Sequence, residues 1–245
     1  MPSTSVEIIH SVGQKEPEYL VSPASQIFSQ VLFAHPASGN SATFLSEALE
    51  LAESGVQSYL LGFQFKRNQD DPANFKDPKR EATFRRACLE KVRGAADYLG
   101  SLTSGKAMQL TYVGKNFGAF IGGMIAGFDS RFSKFILSAG LPDLTEYYVS
   151  SDHEVARRAR KGISATEIET YQAVTGSLNP TRHLKQDSSG FFYFQFGDND
   201  DWIPKEVSDR YLASAPPNSR VDYYQDGHEL HDEFARKDRQ QFILQ

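Results

Sequence analysis

Short apolar runs alternate with longer amphipathic stretches along most of this chain. The runs at 30–34, 56–61, 108–113, 132–138, 191–196 and 221–224 are rich in β-branched or aromatic residues and bounded by turn formers. That pattern predicts buried strands. Between them the spacing predicts helices over about 42–53, 79–102, from Phe117 onward, 204–213 and 230–243. In the second of these, Phe84, Ala87, Cys88, Val92 and Ala95 recur at helical spacing. Two N-terminal segments, 6–11 and 19–22, are expected to add antiparallel edge strands. Strands alternating with helices imply an α/β class with a mostly parallel central sheet.

One region breaks the alternation. From 141 to 189 no good strand is visible, but helices are expected near 152–161 and 165–175. The segment reads as a helical, cap-like insertion between two core strands, within a single domain spanning 1–245. Its basic run of Arg157, Arg158, Arg160 and Lys161 reads as a solvated helix face, with an anionic-substrate clamp as the alternative.

Composition narrows the function without naming one. At 245 residues, 40% hydrophobic and 23% charged, the chain has the make-up of a globular protein. A formal net charge of −5 gives no basic footprint for nucleic acid or an anionic membrane. The longest apolar stretch, 117–128, falls short of the roughly 20 residues a membrane helix needs. The start Met1-Pro2-Ser3-Thr4-Ser5 has neither a basic start nor an apolar core, and Cys88 is the sole cysteine, so a cytoplasmic protein is expected. No nucleotide-binding glycine motif occurs, and His228-Glu229-Leu230-His231 lacks the spacing of a zinc-protease helix. No cofactor and no metal are expected; the expected partner is a small-molecule ligand or substrate.

The candidate chemistry lies in four short motifs. Gly114-Lys115-Asn116-Phe117-Gly118 has the glycine spacing of a nucleophile elbow, the sharp turn that holds a serine above a sheet, but with asparagine in the serine's place. Phe33-Ala34-His35-Pro36-Ala37-Ser38-Gly39 precedes it; Phe196 to Pro204 (Phe-Gly-Asp-Asn-Asp-Asp-Trp-Ile-Pro) and Asp226-Gly227-His228-Glu229 follow it. Together, and in that order, they resemble the α/β-hydrolase fold superfamily.

The resemblance implies an oxyanion loop at His35 to Gly39, an acid turn with Asp200 as orienting carboxylate, and His228 as the triad histidine. Asp198 and Asp201 are rivals to Asp200, and Asp143 a weaker option. The implied oxyanion donors are the backbone N–H groups of Ala37 and Phe117. The family's activity is ester or acyl hydrolysis, yet a carboxamide is no nucleophile at neutral pH.

Four readings of Asn116 stay open: an inactive relative that keeps the pocket for binding; an enzyme in which Asp200 and His228 activate water or substrate directly; a serine replaced deliberately to trap a ligand; or attack by another residue, with Ser38, Ser41 and Ser138 nearest in sequence. Lys115 is expected to face outward or tune the pocket's polarity. Phe117, Tyr147, Tyr148 and Trp202 could line an aromatic pocket or belong to the core.

Overall fold

The computed structural model describes residues 3–10, 16–64, 76–103, 108–185 and 188–245. Met1, Pro2 and Ser11, which enter the N-terminal expectations, and residues 186 and 187 of the inserted segment lie outside the described residues. The strands are β1 (Ser5–Ile9), β2 (Glu18–Ser22), β3 (Ser29–Ala34), β4 (Val56–Leu61), β5 (Leu110–Lys115), β6 (Phe132–Ser138), β7 (Phe191–Gly197) and β8 (Arg220–Tyr224). They form one sheet in the order β1-β2-β4-β3-β5-β6-β7-β8. From β4 to β8 all pairings are parallel, and β1 and β2 join antiparallel. Of the two expected edge strands only β1 is an edge, because β2 is paired on both sides, by β1 and β4.

The helices are α1 (Leu45–Glu53), α2 (Pro78–Ser101), α3 (Phe117–Ile125), α4 (Leu144–Ser150), α5 (Glu154–Arg160), α6 (Ala165–Thr175), α7 (Pro180–His183), α8 (Lys205–Leu212) and α9 (Glu233–Leu244). A 3-10 turn, Ser41–Phe44, precedes α1 and splits the helix expected over 42–53, and a second, Gly176–Leu178, follows α6. Asp77 starts α2 by accepting the Arg80 N–H, with Pro78 in the first turn where no N–H is needed. Between β6 and β7 lie α4 to α7; α4 and α7 were not expected from the sequence.

Alternation along the strands sorts the core into two layers. Val31 and Phe33 of β3 pack with Val113, Ile136 and Tyr193 toward Ala48 and Leu51 of α1 and Ile243 of α9. Their neighbours Leu32 and Ala34 face the other way, into the layer formed by α2, α3 and the inserted helices. Each such side chain taken fully out of water contributes roughly 1.5–3 kcal/mol, which is why the strands read as unbroken apolar runs. Among the described residues no helix is long and apolar enough to cross a membrane.

Candidate active site

The carboxyl ends of β3, β5 and β7 and the loop after β8 converge on Asn116. This residue joins β5 to α3 with φ 52° and ψ −113°, a left-handed backbone that costs a non-glycine residue roughly 1–3 kcal/mol. The turn is tight because its glycines allow it. A Cβ on Gly118 would lie 2.0 Å from the Ala34 carbonyl oxygen, and one on Gly114 would lie 2.4 Å from the Gly118 backbone. The Asn116 N–H donates to the Ser138 carbonyl, and its own carbonyl accepts from Phe120 N–H, so both sides of the bend are fixed.

The acid turn and the histidine loop are clasped just as closely. Gly197 packs where a Cβ would come within 2.5 Å of the Asp226 and Gly227 carbonyl oxygens. Asp226 holds the histidine loop by accepting Gly227 N–H (2.7 Å) and Asp232 N–H (2.8 Å). Burial opposes its ionisation, but the backbone donors of Gly227, Asp232 and His231 outweigh that and set its pKa below the usual carboxylate range. In the sequence Asp226 reads only as part of the histidine motif. The turn-forming pair Asp226-Gly227 is the signal that points to its loop-holding role.

Three side chains then meet. Asp200 Oδ2 lies 2.8 Å from His228 Nδ1, and Asn116 Nδ2 lies 2.6 Å from His228 Nε2. The other Asp200 oxygen accepts the N–H groups of Trp202 and Ile203, both at 2.8 Å. Since a carboxylate only accepts, His228 carries its proton on Nδ1, and the bare Nε2 accepts from the Asn116 amide. The amide oxygen of Asn116 in turn accepts the Ala37 N–H at 3.3 Å. One carboxamide therefore bridges the imidazole and a backbone donor of the 35–39 loop.

That loop is held by His35, whose Nδ1 donates to the Pro36 carbonyl (2.7 Å) while Nε2 accepts Phe63 N–H (2.8 Å). Burial, foremost, keeps this imidazole neutral by lowering its pKa.

The rivals are placed elsewhere. Asp198 accepts from Gln225, Asp143 caps α4 and accepts from Asn179, and the Asp201 carbonyl accepts from Ser151. Ser138 Oγ donates to Gln195 (2.8 Å) and Ser41 Oγ to the Pro17 carbonyl (2.5 Å). Ser38 lines a separate groove beside Lys115 and Glu229. Lys115 pairs with the Glu229 carboxylate at 3.2 Å; burial is the main influence on it and lowers its pKa, against the pull of Glu229. Arg160 donates to the Tyr148 and Ser151 carbonyls, and Arg158 pairs with Glu154. Arg160 thus ties α5 to the end of α4, whereas the Arg158–Glu154 pair lies on a solvated face of α5, its side chains 75% and 71% exposed. Among the described residues no group of three or more metal-ligating side chains occurs.

Above Asn116 is a cavity of about 40 Å³ lined by Ala37, Phe117, Phe120, Leu141, Leu144, Tyr147, Trp202, Ile203 and His228. Trp202 stacks on His228 with centroids 5.2 Å apart, and Tyr147 stacks on the same indole at 5.2 Å. Tyr148 is buried against Tyr147 and does not line the cavity, so of the four aromatics only Phe117, Tyr147 and Trp202 form its walls.

The overall architecture is similar to that of solved hydrolases. The chain is similar to Est1E from Butyrivibrio proteoclasticus, with 15% identity, a TM-score of 0.70, and 98% of this chain and 97% of that one covered. It is also similar to an acetyl xylan esterase from a Paenibacillus species (15% identity, TM-score 0.69, 98% and 87% covered). A dienelactone hydrolase from Anabaena variabilis gives 14% identity and a TM-score of 0.62 over 99% and 95%. The chain has the α/β-hydrolase fold. No family model matches the chain, and no curated protein matches it in sequence. Within the α/β-hydrolase fold, Asn116 stands at the strand-to-helix elbow after β5, the position that the four motifs implied.

Proposed function

We propose that this α/β-hydrolase-fold protein binds a small, uncharged molecule over a degenerate triad and carries out no serine-type acyl transfer. The observation that carries this reading is the pair of hydrogen bonds made by the Asn116 carboxamide. Its N–H₂ occupies the lone pair of His228 that a general base needs, and its oxygen occupies the Ala37 N–H that an oxyanion needs. Phe117 N–H is the second oxyanion donor in this reading. The cavity walls are apolar apart from Asn116 and His228, and 40 Å³ is room for about three water-sized groups, the scale of a short acyl chain.

In this reading residues 141–189 act as a cap on a single domain, with Leu141, Leu144 and Tyr147 closing the cavity from above. The buried lone thiol of Cys88, whose pKa burial pushes up, fits a cytoplasmic location.

One observation favours a second reading. The Asp200–His228 pair is intact and buried, with side chains 1% and 7% exposed, which is the form a dyad needs to activate water on a bound ester or lactone.

Assaying the natural protein, Asn116→Ser and His228→Ala on a panel of short acyl esters separates the two. The binding reading expects turnover in Asn116→Ser alone. Turnover by the natural protein that His228→Ala abolishes would replace it with the dyad reading.

A further inference from the structure

The carboxamide of Asn116 is placed as an amide substrate would be. Its carbonyl oxygen accepts the Ala37 N–H at 3.3 Å, where charge would be stabilised if that oxygen became an oxyanion. Its nitrogen lies 2.6 Å from His228 Nε2, where a leaving amine would collect a proton. Asp200 holds the imidazole in the tautomer this requires. The cavity against Asn116 and His228, at about 40 Å³, exceeds the ~10–15 Å³ that one water occupies.

We infer that Asn116 is a self-modification site: the protein slowly hydrolyses this side chain to an aspartate with one water and releases ammonia. Water displaces the amide from the His228 lone pair, gives Nε2 a proton and forms a bond to Cγ, while the C=O π pair moves to Oδ1 on the Ala37 N–H. The carbonyl then re-forms and the Cγ–Nδ2 bond breaks, with Nδ2 taking the proton from Nε2 and departing as ammonia. The new carboxylic acid ionises to solvent. No oxidant or reductant enters. The conversion is slow because the resting amide itself blocks the base. Its product is a carboxylate beside His228, a nucleophile that the amide is not.

The inference uses the contacts behind the proposed function but is read by mass and linkage, so either can fail alone. Purified protein is incubated for days at neutral pH in ¹⁸O-water, and the peptide containing position 116 is followed by mass spectrometry. The expected result is progressive amide-to-acid exchange carrying one ¹⁸O, a normal aspartyl linkage only, and at least a tenfold slower exchange in His228→Ala and Asp200→Asn. Thermal melts check that the variants are folded.

A folded natural protein whose Asn116 stays intact overturns the inference. So does isoaspartyl product, because attack by the Phe117 backbone nitrogen would give a cyclic imide that opens both ways. Exchange at an undiminished rate in a folded variant overturns it as well. If both variants fail to fold, the linkage in the natural protein still decides: aspartyl only supports the inference, and mixed linkage rejects it.

Discussion

The elbow and the inserted roof meet over the same cavity but are held by different means. At the elbow the backbone decides: Gly114 and Gly118 allow chain segments to touch, and Asn116 sits at φ 52° between fixed hydrogen bonds. In the roof, side chains decide. Arg85 of α2, fully buried, donates to Glu81 (2.9 Å), the Leu178 carbonyl (3.2 Å), Asn179 Oδ1 (3.0 Å) and Tyr171 OH (2.6 Å). Asn179 passes the connection to Asp143, which caps α4 and so places Leu144 and Tyr147 over the site. A bend set by the main chain keeps its shape when its central side chain changes. Asn116, Asp200 and His228 meet at such a bend.

The sharpest way to break the contrast is Gly118→Ala. With a Cβ 2.0 Å from the Ala34 oxygen, relief requires moving backbone, and a loss above about 4 kcal/mol is expected in urea unfolding. Arg85→Met tests the roof in turn. It strands buried Glu81 and three polar partners, for an expected loss of about 3–5 kcal/mol, with the elbow backbone untouched.

His35→Gln sharpens the elbow side. Losing one of two buried hydrogen bonds costs about 1–3 kcal/mol at neutral pH. The pH profile follows from its depressed pKa. The unfolded chain takes up a proton near pH 6.5 and the folded one resists, so the native stability is fully present above that pH and declines as pH falls below it. The slope from this one group is at most about 1.4 kcal/mol per pH unit. The variant should show a correspondingly flatter acid limb, measured by urea melts across pH; an unchanged limb would remove His35 from the account. The smallest effect is expected at Gly176→Ala in the roof, where an added Cβ meets nothing within 4 Å and φ is −60°. Stability there should change by no more than about 1 kcal/mol, in the stabilising direction.

Legibility in the sequence followed the same divide. β4 and β6 match their apolar runs at both ends, since strands covered on both faces are marked by composition alone. β5 lies two residues later than expected because Gly114 and Lys115, which look like turn residues, still pair with β6. The meeting of Asn116, Asp200 and His228 could be anticipated because each sits in a short local motif whose order the fold dictates.

The roof offered no such help. α4 is seven residues with two tyrosines and one threonine, without a helical stripe, and its start depends on Asp143, which in the sequence reads as a possible catalytic acid. The partners of Arg85 in the roof lie 86 to 94 residues away along the chain, beyond the reach of any local pattern. The bridging role of the Asn116 amide was hidden for the same reason: it depends on Ala37 and His228 arriving from either side.

Fluorophosphonate labelling of Asn116→Ser tests most directly the claim that a working frame surrounds an inert residue. The folded variant should be labelled covalently at position 116, and labelling should vanish when His228→Ala is added, while freshly purified natural protein stays unlabelled. A folded Asn116→Ser protein that remains unlabelled would show that Asp200, His228 and the Ala37 N–H do not act together on this elbow.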